Sequence, residues 1–292
     1  MMKKFNELTF SDDFMFGKVL TTNKELCKEL LELILGEKIN RIEFVEEQRT
    51  LKQTYPSKGI RLDVYVKDDK NVAYDVEMQT TYSSDLPKRI RFYQGMIDLN
   101  LIESGDEYSN LKRSYIIFIC LSDPFKKGLP VYVFNKTCKQ DRSIELNDEA
   151  TTVVINVSGS RKGLSPNMAA FLDFVQNQKV SDDFTQRLSD EVSNVRSCKK
   201  WSVEYMHLSA MLADARRDAR REGIEQGIEQ GIEQGIEQGI EQGFKQSIEL
   251  AIRQLVKLNM PDDGIISFVS EAYGLSKKQA EQYLADAKES IL

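Results

Sequence analysis

Histidine is nearly absent from this chain of 292 residues, which contains one, His207. A single imidazole excludes mechanisms that need two, including histidine-rich zinc chemistry. The four cysteines are far apart and form no CxxC pair, so they indicate neither a zinc site nor a disulfide framework. The remaining chemistry is that of carboxylates with a hard cation such as Mg²⁺.

Long apolar runs and an excess of positive charge are missing too. No stretch of 18 or more apolar residues exists, and the N-terminal segment turns acidic before an apolar signal region develops, so we expect a cytoplasmic protein outside the membrane. Residues 222–292 carry 6 Lys and Arg against 13 Asp and Glu, a net charge of −7. Because the whole chain has a net charge of −6, residues 1–221 have a net charge of +1. Overall charge therefore gives no argument for nucleic-acid binding.

The pattern of apolar residues predicts alternating helices and strands. Ser11 is expected to cap a helical stretch, which divides near residues 21–23. A nearly continuous apolar run at 114–121 is typical of a strand buried on both faces of a sheet. Strands are expected at 39–54, 60–66, 72–79, 114–121, 131–135 and 151–158, a turn at 55–59, and helices at about 84–105, after 165 and at about 181–198. This order predicts an α/β sandwich.

Three parts are expected along the chain: an α/β domain at 1–200, a long helix at 201–258 and a small helical hairpin at 259–292, whose second helix is capped by Ser276. The hairpin resembles a helix-turn-helix, but it holds 3 Lys against 6 acids. Phosphate binding requires the opposite sign, so the hairpin favours protein contacts.

Five GIEQ repeats occupy 223–242 within the long helix. A spacing of four is close to the helical period, so the isoleucines form a slowly drifting stripe. Two interpretations stay open. The stripe joins copies of the chain, most simply as a dimer, or the segment is an acidic, solvated spacer.

Candidate chemistry lies in two strands flanking a polar turn, in RLDVYVKDDKNVAYDVEMQ at 61–79. Strand parity places Asp63 on one face of the first strand, with Leu62 and Val64 on the other. On the second strand it places Asp75, Glu77 and Gln79 together. Facing side chains of antiparallel neighbours lie within about 5 Å, so Asp63 and Glu77 are expected to converge on one ion. An exposed polar strand face explains the same pattern, so both interpretations are open on spacing alone.

A family resemblance adds to this pattern. Asp63, followed after a hairpin by Glu77-Met78-Gln79, resembles the PD-(D/E)XK nuclease signature with glutamine in place of its lysine. The surrounding blocks are SDDFMFGKVL at 11–20, KRIRFYQGMI at 88–97, GDEYSNLKRSYIIFIC at 105–120 and the GIEQ tail. Together, over roughly residues 7–240, they resemble the recombination-promoting nuclease (Rpn) and transposase branch of that superfamily.

The resemblance implies a restriction-endonuclease-like αβββαβ core, a mixed sheet flanked by helices, followed by a helical C-terminal extension. It also implies a Mg²⁺-dependent DNA endonuclease linked to recombination, transposition or defence against foreign DNA. Asp63, Glu77 and the Met78 carbonyl would bind the ion, and Gln79 would orient the attacking water. The alternative is a weak or inactive nuclease fold that serves as a DNA- or protein-binding oligomeric module.

Four more residues are candidates for substrate or outer contacts. Arg89 and Tyr93, one helical turn apart, match residues of the same branch, and ordinary packing of a helix on the sheet explains them equally well. Asp13 matches an acid at the start of the first helix, where helix capping is the alternative. Asp75 shares the parity of Glu77 and is expected to be solvated or hydrogen-bonded, with contact to a second ion as the alternative.

Overall fold

A computed structural model describes residues 3–51 and 60–289 of the chain. Two compact units are present, Met1–Ser209 and Ala210–Leu292. Helices and strands of the first unit follow one another as α1 Asp13–Thr22, α2 Lys24–Leu35, β1 Ile42–Leu51, β2 Ile60–Asp68, β3 Ala73–Gln79, α3 Leu86–Leu101, β4 Ser114–Cys120, β5 Val131–Phe134, β6 Ala150–Asn156, α4 Pro166–Asn177 and α5 Asp183–Ser197. The helix, three strands, helix, strand order expected at the start of the chain is thereby confirmed.

Six strands form one mixed sheet in the order β1-β2-β3-β4-β6-β5. The β1–β2, β2–β3 and β5–β6 pairs are antiparallel, whereas β3–β4 and β4–β6 are parallel. All seven residues of β4 are buried, which confirms the prediction from its apolar run. Its neighbour β3 lies next to the centre of the sheet, so side chains of both faces of β3 enter a core.

Each face of the sheet carries its own apolar core. On one face, Val64, Val76 and Ile117 pack with residues of α1, α2, α4 and α5. On the other, Ile116 and Phe118 pack with residues of α3. The strand faces thus separate as parity predicts, and the α3 side is the side of β3 that carries its acids.

Local signals set most of the helix ends, with one correction. The first helical stretch divides as predicted, because Asn23 Oδ1 accepts the Leu26 N–H at 3.1 Å and caps α2. The expectation of Ser11 as the cap of α1 is wrong. Asp12 occupies the N-cap position and accepts the Thr9 N–H at 2.7 Å, while the Ser11 hydroxyl bonds to Thr9 at 3.0 Å.

The strand before the candidate site is shorter than expected within the described residues. β1 begins at Ile42, three residues later than predicted. Its expected continuation at 52–54 and the turn at 55–59 lie outside the described residues. The predicted alternation along β2 is also wrong at one point, since Leu62 packs with the α3-side core and Val64 with the opposite core.

Helix α6 (Lys199–Lys257) contains all the GIEQ repeats, and α7 (Asp262–Tyr273) and α8 (Lys277–Glu289) follow it. The expected cap of α8 is present, because the Ser276 N–H donates to Gln279 Oε1 at 2.9 Å and the Gln279 N–H donates to Ser276 Oγ at 3.4 Å. A small core of Ile248, Ile252, Ile265, Val269 and Leu284 joins the end of α6 to α7 and α8. No described helix has both the length and the apolarity needed to cross a membrane.

Candidate active site

Asp63 and Glu77 lie where β2 and β3 separate. The pairing of the two strands extends to Val64 opposite Val76. Beyond it, the Asp63 N–H donates to Glu77 Oε1 at 2.8 Å, and the Met78 N–H donates to Asp63 Oδ2 at 3.1 Å. Each acid therefore replaces a strand-to-strand bond with a side-chain bond. The structure brings together the two residues that strand parity paired.

An irregularity on the other side of β2 accompanies this separation. Gln48 of β1 has a positive φ of 52° and lies between Glu47, paired with Val64, and Arg49, paired with Leu62. The side of β2 that enters each core changes between Leu62 and Val64, so Asp63 occupies the point of change. Such a break in the alternation of side chains along a strand changes the direction of the side chain at that point, as β-bulges do near active sites.

The acidic face of β3 is buried. Glu77 is 4% exposed and Asp75 is fully buried, because α3 covers this face with Leu86, Tyr93 and Ile97. The interpretation of an exposed polar strand face is therefore wrong. Asp63 is half-buried and opens the acidic cluster toward the surface. Buried carboxyls of this kind need a cation or donors to remain ionised.

Asp75 lies deepest among these acids. Among the described residues, none makes a hydrogen bond of normal geometry to its carboxyl oxygens, and the same holds for the hydroxyl of Tyr65, its partner in the β2–β3 register. Burial, then the charges of Glu77 and Asp63, raise the pKa of Asp75 well above its usual range. The expectation of a solvated Asp75 is wrong, because α3 removes it from water. A hydrogen-bonding interaction between the Asp75 and Glu77 side chains raises the pKa of Asp75 further and lowers that of Glu77.

Burial also raises the pKa of the two bridging acids. The pKa of Asp63 rises to about 6, through burial and the charge of Asp13, against the lowering effect of the Met78 N–H. The pKa of Glu77 rises to about 8, through burial and the charge of Asp63, against the lowering effects of the Asp63 N–H and Arg89. Ionising all three acids together is therefore costly without a nearby cation.

Asp13 stands at the edge of the cluster. It is the exposed first residue of α1, and its charge reaches Asp63 without a hydrogen bond between the two side chains. Asp12 holds the N-cap position, and the Asp13 carboxylate interacts with its own backbone N–H in the first turn of α1. Arg61 is a residue that the sequence argument left without a role; its positive charge lowers the pKa of both Asp13 and Asp63.

Arg89 and Gln79 contact each other beside Glu77. Arg89 Nη1 donates to Gln79 Oε1 at 2.8 Å, and Arg89 Nη2 lies 3.7 Å from Glu77 Oε2. Gln79 Nε2 in turn donates to the Thr81 carbonyl at 2.6 Å, a contact that no sequence signal revealed. Arg89 therefore does more than pack α3 on the sheet, because it makes polar contacts with two residues of β3. The Gln79 amide is engaged at both of its ends.

Tyr93 packs beneath the arginine. Its hydroxyl accepts from Arg89 Nη2 at 3.5 Å, and its ring lies 6.1 Å from that of Phe118. The Arg89 guanidinium lies 5.6 Å from the Tyr93 ring and 5.4 Å from the Phe118 ring. Tyr93 thus supports Arg89 and also belongs to the α3-side core.

The backbone carbonyl of Met78 faces the same opening. The Gln79 carbonyl accepts the Leu121 N–H at 3.0 Å on the β4 side, whereas the Met78 N–H bonds toward β2. The N–H and C=O of one strand residue point to the same side, so the Met78 carbonyl also faces β2, where the pairing has ended.

These oxygens fit a hard divalent cation. Carboxylates of Asp63 and Glu77 and the Met78 carbonyl have the chemistry that such ions prefer, and burial, followed by the charges of neighbouring acids, raises the pKa of both carboxyls. Within residues 3–51 and 60–289, no three His, Cys, Asp or Glu side chains are placed together as metal ligands. A cation here would be held by two carboxylates, backbone and water.

Comparison with known proteins supplies one match. A family model described as PD-(D/E)XK nuclease family transposase matches residues 10–180, which is more than half of the chain. The match includes the whole sheet and every acid described above. Searches among curated proteins and among solved structures found no match.

Proposed function

Because the chain belongs to the PD-(D/E)XK nuclease family transposases, we propose that it is a divalent-cation-dependent endonuclease, with Mg²⁺ as the expected ion, that hydrolyses phosphodiester bonds of DNA. The observation that supports this most is the reciprocal bridge of Asp63 and Glu77 at the separation of β2 and β3. It supports a site in which two carboxylates and a strand carbonyl share one opening.

Asp63, Glu77 and the Met78 carbonyl would hold the cation in this proposal. When bound, the cation lowers the pKa of water and neutralises charge on the phosphate. Gln79 retains one amide hydrogen and one lone pair beyond its contacts with Thr81 and Arg89, enough to orient a water by hydrogen bonding. We further propose a role in recombination, transposition or defence, in keeping with the family description.

Incubation of the purified chain with supercoiled plasmid tests the proposal. We expect nicking or linearisation that requires Mg²⁺ and stops with a chelator. Asp63→Asn and Glu77→Gln should each lower the rate by at least about 10²-fold, since each removes a charge that faces the reacting group. Glu25→Gln, an exposed acid of α2, is the matched control and should leave the rate unchanged. Cleavage that persists in both site variants would contradict the assignment.

A binding protein without turnover is the second candidate. A neutral amide stands where the family signature has lysine, and burial keeps the pKa of Glu77 at about 8 in the cation-free protein. This function predicts retention of duplex DNA in a mobility-shift assay with no cation-dependent nicking. Cleavage and binding assays run in parallel on plasmid, single-stranded DNA and RNA distinguish the two functions and show which nucleic acid is preferred.

We also propose that the GIEQ segment joins two copies of the chain. Its isoleucines Ile224, Ile228, Ile232, Ile236 and Ile240 are 52–68% exposed. Around the intervening glycines, a Cβ would meet nothing within 4 Å, so another helix can approach closely. At 100° per residue, the glutamates lie about 150° from the centre of the Gly–Ile face, so association keeps like charges apart. Rows spaced by four residues pack at about −50°, which favours a short crossing contact.

A further inference from the structure

Arg89 is the cationic side chain that lies beside Glu77 in the candidate site. Arg89 forms an ion pair with Glu77 at 3.7 Å. Within the described ranges, Asp63 and Asp75 form no ion pair. The guanidinium is 3.7 Å from Glu77 Oε2, too far for a hydrogen bond, so Arg89 is not consumed as a donor to that carboxylate.

Three groups hold this guanidinium in place. Gln79 Oε1 accepts from Nη1, while the Tyr93 and Phe118 rings lie beneath the guanidinium. Gln79 is itself fixed, because its Nε2 donates to the Thr81 carbonyl. The Arg89 side chain nevertheless remains 31% exposed. A guanidinium has five N–H donors, so donors remain for a ligand at the exposed edge.

We propose that Arg89 supplies, to a phosphate bound at Asp63 and Glu77, the positive charge that a lysine would carry at position 79. This inference rests on the proposed function. The PD-(D/E)XK description places lysine two residues after the second acid, and this chain has Gln79 there. A neutral amide cannot balance charge that develops on phosphorus-bound oxygens, whereas a guanidinium stays charged and binds phosphate through two N–H donors.

The role of Gln79 changes accordingly. Its amide links the Thr81 backbone to Arg89, so Gln79 acts mainly as a positioning residue for the guanidinium. In the reaction, the oxygen of a water forms a bond to phosphorus while one P–O ester bond breaks. The water loses a proton to solvent and the leaving oxygen gains one, which gives one phosphate end and one hydroxyl end. Arg89 offsets the negative charge during this exchange.

Relocation of the charge tests the proposal. Arg89→Ala should lower kcat for plasmid cleavage by about 10²-fold. The double variant Gln79→Lys with Arg89→Ala restores a cation at position 79 and should recover at least about tenfold of that loss, because it is the charge that is required. Arg91→Ala removes an exposed arginine of the same helix with the same change in net charge, and should leave kcat within about twofold.

A second measurement does not depend on turnover. Affinity for a fluorescent 20-base-pair duplex is measured with Ca²⁺ in place of Mg²⁺, beside the melting temperature of each variant. Arg89→Ala should weaken binding severalfold more than Arg91→Ala, and the double variant should restore it. A folded double variant that is no more active than Arg89→Ala overturns the inference but leaves the nuclease assignment standing.

The two proposals fail in different ways. If the unmodified chain binds duplex through Arg89 without cutting it, the nuclease function fails and the phosphate contact of Arg89 stands. If Arg89→Ala and Arg91→Ala bind equally well, the Arg89 contact fails. A chain that neither cuts nor binds duplex overturns both.

Discussion

Asp63 and Glu77 each accept a backbone N–H from the strand that carries the other: Asp63 N–H bonds to Glu77 Oε1, and Met78 N–H bonds to Asp63 Oδ2. This exchange takes over where the β2–β3 pairing ends at Val64 and Val76. It holds both carboxyls at one opening even though burial raises the pKa of each. The fold thus stabilises a geometry that electrostatic repulsion alone would oppose.

Cation binding should stabilise the folded chain through these acids. At a Mg²⁺ or Mn²⁺ concentration about 100 times Kd, the stabilisation is about 2.7 kcal/mol, and the melting temperature should rise by several degrees. Glu77→Gln should abolish most of this rise, whereas Glu25→Gln should preserve it. Thermal unfolding with and without chelator measures both. An equal rise in Glu77→Gln would exclude Glu77 as a ligand.

Stability of the cation-free chain should fall as pH rises from about 4.5 to about 8. The pKa of Asp63 is raised to about 6 and that of Glu77 to about 8, so the folded state binds more protons than the unfolded state in this window. The slope of the free energy of unfolding with pH is therefore negative there. Denaturant titrations in chelator across the window measure it. Glu77→Gln should flatten the slope, and a stability that increases with pH in the wild type would contradict the pKa assignments.

The same titrations define the cation effect. Protons and cation compete for the carboxylates, so the stabilisation by Mg²⁺ should be larger at about pH 8 than at about pH 5.

Asp75→Asn should stabilise the cation-free chain at high pH. Burial raises the pKa of the Asp75 carboxyl well above the usual range. The asparagine amide has nearly the same shape as the carboxyl but does not ionise. The free energy of unfolding should increase at about pH 8, with the difference shrinking toward zero at about pH 4. Denaturant titration measures both. A loss of stability at high pH would show that the Asp75 charge has a partner.

Association through the repeats should depend on their isoleucines. Ile232→Asp combined with Ile236→Asp should yield a mass near that of one chain, 33.5 kDa, while the unmodified chain should have about twice that mass. Glu233→Gln with Glu237→Gln is the matched control and should retain the larger mass. Light scattering after size-exclusion chromatography provides the measurement. Equal masses for all three proteins would favour the solvated spacer.

Sequence alone determined the elements and the main pair of acids. A continuous apolar run identified β4 as central, Asn23 and Ser276 carry local capping signals, and hairpin parity brings Asp63 to Glu77. These features depend on residues close in sequence, so periodicity and capping chemistry predict them, but periodicity did not predict the break in alternation between Leu62 and Val64.

Only the tertiary structure decided what covers each strand face. Parity places Asp75 on one side of β3, but the packing of α3 on that side makes it a carboxyl fully removed from water. The same packing brings Arg89 to Gln79 and Glu77. Side-chain burial and contacts between α3 and β3 arise from the collapse of separate elements onto one sheet. A period of two or of 3.6 residues fixes which side chains share a face, and does not fix what lies against that face.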